Sequence, residues 1–551
     1  MRPALVLGCL STVLATNDLV RLEYTSYKGT ALPNGITQWL GMRYAAPPTG
    51  SLRFAAPQDP PVTDDIRVAD KHGALCFGTG SNAHDPTLSE DCLFLDVYAP
   101  SRATNTSSLP VYFFIQGGGF NFNSNSNHNG SGLITTSGHG LIVVTFNYRV
   151  GPYGTKALEW VQKYISQFGG DPKHVVLGGD SAGAASIAYH LTAYGGRDDG
   201  LFVAAAAESV SFAPILTVEE SQYQYDNLAK SLGCAPRTAS SQDATVKDDT
   251  LSCLRSKTTA QFQAQTHNVP PYPGAQNPPL YMWNPVLDNA LIQNYTYAAF
   301  DNGNFLRVPV LFGDDTNGGT IFTPRGTSSQ AQSNTFLHNQ FPQLTIDQLQ
   351  RLDQLYPNNG PQFPNSGSWW RQVSNVYGDM RYMCPNLFIS SAYARYGVPQ
   401  NWNYWYNVAD AAQIRQGLGV PHTVELAAIW GPDNIPNGAS PASYRNGGPN
   451  AWIVPLMQGY WISFIRVLDP NPFRIQGAPM WREFTLADEE GSAGAGAGAG
   501  DGDNDGVSGG GGGDWMRMLF DTADTTGMAA VSTAVRKRCQ YLNSIGLALK
   551  Q

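Results

Sequence analysis

Positive charge is scarce in this 551-residue sequence: 34 Lys and Arg stand against 43 Asp and Glu, for a formal net charge of −9. No segment gathers the cations into a basic stripe, which argues against a nucleic-acid partner. After the first residues, no apolar run approaches the roughly 20 residues of a membrane-spanning helix. There is no C-x-x-C pair, so the seven cysteines do not read as metal ligands. Gly117, Gly118 and Gly119 lack the Lys-Ser partner of a phosphate loop. The run GSAGAGAGAGDGDNDGVSGGGGGD, 491–514, lacks the regular glycine–aspartate repeat of calcium-binding rolls. With almost no side chains to bury, it reads as a flexible surface insertion.

The first 15 residues carry Arg2, a short apolar run and then small residues, the pattern of a cleaved secretory signal. Removing that segment removes Cys9 and leaves six cysteines, an even number that suits disulfides in an oxidising compartment. Acceptor sequons at Asn105, Asn129 and Asn294 fit the same route. The expectation is a secreted, extracellular protein with a single domain over 16–551.

VYFFI (111–115), LIVVTFNY (141–148), HVVLGG (174–179) and VPVLFG (308–313) read as buried strands. KALEWVQKYISQF sets Leu158, Val161, Ile165 and Phe168 on one helical face, and ASIAYHLTAY reads as a helix. Strands alternating with helices predict an α/β fold with a mostly parallel sheet covered by helices. The stretch 320–380, rich in Gln, Asn and Pro, reads as helices and long loops outside that sheet.

Chemistry concentrates at GGDSAGAAS, 178–186. A G-x-S-x-G match carries little alone in a glycine-rich chain, but here it follows a strand and opens a helix. Small residues at Gly179, Ala182, Gly183, Ala184 and Ala185 allow the close approach that a tight strand–serine–helix turn demands. The helix N-terminus beneath Ser181 offers N–H groups to a developing oxyanion. QGGGF, 116–120, follows another buried strand, and Gly118 and Gly119 read as further donors beside Ala182.

These segments, with WLGMRYAAPPTGSLRFAAP, SEDCLFLDVYAP, FNYRVGPYG, GGDPKHVVLGGDSAG and GVPHTVELAAIWG, resemble the type-B carboxylesterases, α/β-hydrolases that include cholinesterases and secreted fungal lipases. The resemblance runs over roughly 21–545. It implies an α/β-hydrolase fold and hydrolysis of a small-molecule or lipid ester, with Ser181 as nucleophile and His422 as general base. No cofactor or metal is implied. It further implies disulfides Cys76–Cys92 and Cys234–Cys253, leaving the pairing of Cys384 and Cys539 open. Structural ion pairs Arg53–Glu90 and Arg149–Asp171 also follow from it.

Two departures stand out. In the family the triad acid lies in G-x-x-x-D-E-G-x-x-F. Here GDDTNGGTIF, 313–322, keeps that spacing but places Asn317 at the aspartate and Gly318 at the glutamate. Asp315 is a weak substitute candidate, with Asp314 or a distant acid as the alternatives. Roughly two dozen residues that relatives carry between NYRVGPYG and ALEWV are also missing, which threatens a wall of the pocket. Three readings follow: a serine carboxylic-ester hydrolase impaired by the lost acid, an inactive esterase-like binding protein, and a biosynthetic enzyme reusing the pocket for non-hydrolytic chemistry. Phe120, Phe122, Trp369 and Trp370 are candidates to line a gorge, although most aromatics in a chain this long are core.

Overall fold

The computed structural model describes residues 18–124, 127–150, 155–235, 250–268, 270–360, 362–436, 440–486, 515–522 and 525–551. The expected signal segment, the Gly-rich insertion and the short 151–154 connection lie outside these residues.

An eleven-stranded sheet forms the centre. Its strands in chain order are β1 (Thr30–Ala31), β2 (Ile36–Arg43), β3 (Phe94–Pro100), β4 (Leu109–Ile115), β5 (Ile142–Phe146) and β6 (Gly170–Asp180). They continue with β7 (Ala204–Glu208), β8 (Val310–Asp315), β9 (Asn401–Asn407), β10 (Met516–Asp521) and β11 (Gly527–Ala530). The spatial order is β11-β10-β9-β8-β7-β6-β4-β5-β3-β2-β1. From β5 across to β10 every neighbouring pair is parallel, and the strands at either flank pair antiparallel. The predicted buried strands are these parallel ones. They are apolar on both faces because helices cover both sides, so they show continuous apolar runs in place of alternation.

Helix α1 (Thr155–Tyr164) buries Leu158 and Val161, and Ile165 and Phe168 continue the same face through a 3₁₀ turn, all at 2% exposure or less. That four-residue recurrence is what packs the crossover onto the sheet. Helix α2 (Ala182–Thr192) leaves the serine turn and is buried almost throughout, since its Ala and Gly side allows contact with the strands. Gly183 could carry no side chain there, because a Cβ would fall 1.9 Å from the Ile115 carbonyl.

Beyond β8 the chain forms helices and loops outside the sheet, then α3 (Trp370–Gly378), a π-helical turn at Asp379–Met383, and α4 (Cys384–Arg395). Helices α5 (Ile453–Val467) and α6 (Thr533–Ser544) complete the set used below. One apolar cluster lies on each face of the sheet, and a third joins α3, α4 and α6.

Disulfides Cys76–Cys92 and Cys234–Cys253 are formed, and Cys384 bonds Cys539, tying α4 to α6. That last bond spans 155 residues. The double variant Cys384→Ser, Cys539→Ser is therefore expected to lose about 2–5 kcal/mol of stability, read by denaturant unfolding.

The Arg53–Glu90 pair is present, with Nε–Oε2 at 2.9 Å. Among the described residues the expected Arg149–Asp171 ion pair is not present. Arg149 donates to the Ala55 carbonyl at 2.8 Å, while Asp171 accepts the Lys173 N–H at 2.9 Å and is held to its own turn. Asn105 is exposed, whereas Asn129 and Asn294 are half-buried and use their Oδ1 atoms in local turns.

Candidate active site

Ser181 follows β6 directly and precedes α2. Its backbone sits at φ 55°, ψ −116°, a region that L-residues avoid and that an active-site turn sustains through its surroundings. The Ser181 N–H is fixed to the Glu208 carbonyl at 2.9 Å, and its own carbonyl accepts the Ser211 N–H at 3.4 Å. The side chain makes no capping hydrogen bond to α2, so its hydroxyl is not committed to the helix.

The glycine loop after β4 closes against this turn. Gly117 donates to Asp180 Oδ1 at 2.9 Å. A Cβ at Gly117 would meet Ser181 Cβ at 3.0 Å. Gly118 and Gly119 both lie at positive φ, 122° and 59°. Side chains there would strike the Phe122 carbonyl and the Tyr281 ring, at 2.0 and 2.3 Å. Among the described residues no acceptor takes the N–H of either glycine. Ala182, the first residue of α2, adds a third N–H without an intrahelical partner. Gln116 is held inside the loop base by Asn123 and the Phe146 carbonyl, so it serves the scaffold.

His422 lies on the loop before the short helix Leu426–Trp430. Asn317 pins that loop: its N–H donates to the Val420 carbonyl at 2.9 Å, and its Oδ1 accepts the Val420 N–H at 3.0 Å. The asparagine at the family aspartate position thus keeps a structural task. Ser209, one residue beyond β7, donates to Asp315 at 3.1 Å and lies 3.4 Å from Glu425. Both the serine turn and the histidine loop are therefore tied to the segment 208–211.

The position that the family resemblance gives to the triad acid holds no carboxylate. Gly318 leaves the imidazole without one, and among the described residues neither His422 nitrogen has a hydrogen-bond partner. Tyr382 covers the histidine instead, with ring centroids 4.1 Å apart, and Phe322 meets it edge-on at 5.2 Å. Burial, aided by the Arg381 guanidinium, pushes the His422 imidazole down to about 3. Asp315 makes no hydrogen bond to the imidazole. Its Oδ2 accepts the Thr423 N–H at 2.7 Å, which positions the neighbouring backbone. Burial and the Glu425 carboxyl push Asp315 far above the usual carboxylate range, and burial raises Glu425 as well. These two acids share one buried setting, which disfavours the charged form of each. Asp314 is turned the other way, to Asn386 at 2.7 Å and Arg517 at 3.4 Å, and is raised by burial to about 6.

Sequence reasoning missed Ser209, Glu425, Arg381 and Tyr382. Glu425 carries a weak signal, being three residues after His422, but nothing in a single sequence announces the other three. Of the aromatic candidates, Phe120 is buried beside the glycine loop and Phe122 is 43% exposed. Trp370 is fully buried core, covered by Arg325 and Phe363, and Trp369 is half-buried at the head of α3. Beside Val150, where the connection to α1 is short, lies a cavity of about 290 Å³. Phe54, Phe120, Phe262, Trp283 and the Arg53–Glu90 pair line it.

The solved structure of Aspergillus niger EstA is similar to this chain with a TM-score of 0.86 and 38% identity, covering 97% of this chain and 99% of that one. Secreted lipase 4 of Gibberella zeae is 28% identical over 86% of this chain and 88% of its own length. Secreted lipase 1 of Botryotinia fuckeliana is 27% identical over 82% and 84%. The model of the carboxylesterase family matches residues 16–493. With an α/β-hydrolase sheet and a match over most of its length, this chain belongs to the carboxylesterase family, a class of carboxylic ester hydrolases.

Proposed function

We propose that this protein is a secreted serine esterase that cleaves a small-molecule or lipid carboxylic ester through an acyl-enzyme on Ser181, slowly for want of a triad acid. The observation that carries this reading is the left-handed turn at Ser181, set against a glycine loop whose Gly118 and Gly119 N–H groups meet no acceptor among the described residues. In the first step Ser181 Oγ attacks the ester carbonyl while His422 takes its proton. The oxyanion is received by the N–H groups of Gly118, Gly119 and Ala182. The protonated histidine then gives its proton to the leaving alcohol, and water repeats the sequence to release the acid. Homologues named secreted lipases and the sequence of the first 15 residues support export. Among the described residues no helix is long and apolar enough to cross a membrane.

Covalent labelling tests the reading. A fluorophosphonate is expected to modify Ser181 stoichiometrically, seen as a mass shift on its peptide. A chain that stays unlabelled under conditions that label an active esterase belongs to the non-catalytic reading, which the unpartnered His422 favours.

The pH profile should carry the mark of the buried histidine. His422 works as a base only when neutral, and its depressed value keeps it neutral down to low pH. The acid limb of kcat/KM is expected well below the usual imidazole value of about 6.5, leaving activity nearly level from pH 8 to 5. A limb near 6.5 would show that an anion reaches the imidazole in the working enzyme.

A further inference from the structure

Arg381 lies in the π-helical turn between α3 and α4, and such turns recur at functional sites. The residue is 4% exposed. Its Nη2 donates to Ser211 Oγ at 2.7 Å, and its Nε is buried without a partner. Among the described residues no carboxylate pairs with it. Asp379, two residues earlier, is turned away to Arg538 at 3.0 Å and to the Tyr356 hydroxyl at 2.8 Å.

The guanidinium also sits among residues that touch the serine turn, the glycine loop and His422. Ser211, its hydrogen-bond partner, donates its own N–H to the Ser181 carbonyl. Tyr382, next in sequence, stacks on His422. Tyr281 packs on Gly119 of the oxyanion loop, Tyr189 packs on Phe120, and the Tyr377 ring lies 5.8 Å from the guanidinium carbon. The field of Arg381 bears on all of these rings and on His422 itself. A cation removed from water is costly unless an anion or a full set of acceptors meets it. Among the described residues one hydroxyl answers several N–H donors. A ring of tyrosines supplies π-faces but no countercharge.

We propose that Arg381, with Ser211, is the specificity determinant of this site and binds a free carboxylate carried by the ester substrate. The preferred substrates are then half-esters of dicarboxylic acids and related esters bearing a second, ionised carboxyl group. The planar guanidinium suits such a group, since it can present two parallel N–H donors to one carboxylate. The substrate's charge supplies the partner that none of the described residues provides, and its uncharged analogue leaves the cation unmet. This deepens the esterase reading and rests on it for the reaction, but not for the binding step.

Binding is therefore measured apart from turnover. Calorimetric titration of the Ser181→Ala chain with monophenyl glutarate and with phenyl valerate compares a charged and a neutral ester of similar length. Monophenyl glutarate is expected to bind at least about tenfold more tightly, the effect of one good charge-assisted contact. Arg381→Met should abolish that preference, bringing the affinities for the two esters together. Arg381→Lys should keep part of it, and Ser211→Ala should weaken it severalfold. Equal affinity for the two esters in the parent chain overturns the proposal, whether or not Arg381→Met folds. So does a preference that survives Arg381→Met in a chain whose circular dichroism is unchanged. A retained preference with no hydrolysis of either ester by the natural chain would sink the esterase reading and leave the carboxylate site standing.

Discussion

Gly318→Glu is expected to raise kcat/KM for p-nitrophenyl butyrate by about 10³-fold, within the roughly 10⁴ that loss of the acid costs a serine triad. The physical reason is the bare imidazole: without a carboxylate, nothing fixes the His422 tautomer or stabilises its cation as the serine proton arrives. The position can accept the change. Gly318 is not in the left-handed region, and a Cβ built there meets Tyr382 Cδ2 at 3.2 Å. The tyrosine ring must give by a few tenths of an ångström, and it is the ring that now covers the histidine. Gly319 offers no such room, since a Cβ there would fall 2.0 Å from the Ser374 carbonyl. The introduced carboxylate should also move the acid limb of the pH profile upward, because a neighbouring negative charge favours the imidazolium. A folded Gly318→Glu chain with neither gain nor shift would show that the missing side chain is not the defect.

Ser181→Ala should then give two different losses in two backgrounds. Triad residues act as a unit, and removing the serine costs about 10⁶ in a complete triad, whereas removing the acid alone costs about 10⁴. The natural chain has already lost the acid, so Ser181→Ala is expected to lower its rate by only about 10². In Gly318→Glu the same substitution should cost about 10⁵, the predicted thousandfold gain on top of that hundredfold loss. Rates of all four chains measured side by side form a cycle that isolates the coupling of the introduced carboxylate to the serine. Equal losses in the two backgrounds would mean that this carboxylate does not join the machinery. Activity untouched by Ser181→Ala in both would remove Ser181 from the mechanism.

Several of the site's parts were legible because their signals are local. A strand, a serine between glycines and an Ala-rich helix are contiguous in sequence, and so is the three-glycine loop that faces them. The loss at Gly318 could be read because the Gly313–Phe322 spacing is intact. Asp315 illustrates the limit. Its proximity in sequence to the empty position suggested a replacement acid, but a side chain at the end of a strand points where the pleat sends it. In the fold that direction leads to Ser209, Thr423 and Glu425.

The sequence by itself determined the elements of the α/β sheet, the serine turn, the glycine loop beside it, the absence of a side chain at Gly318 and, through family resemblance, two of the disulfides. Periodicity and short-range sterics govern the first of these, and they act within a few residues. Only the tertiary structure decided that Cys384 meets Cys539 across 155 residues and that Arg149 turns to the Ala55 carbonyl. It alone set Tyr382 over the imidazole and buried Arg381 beside Ser211, with no countercharge among the described residues. Those outcomes depend on which helix packs against which strand end, and on the cost of desolvating charge there. Neither is written in the order of neighbouring residues.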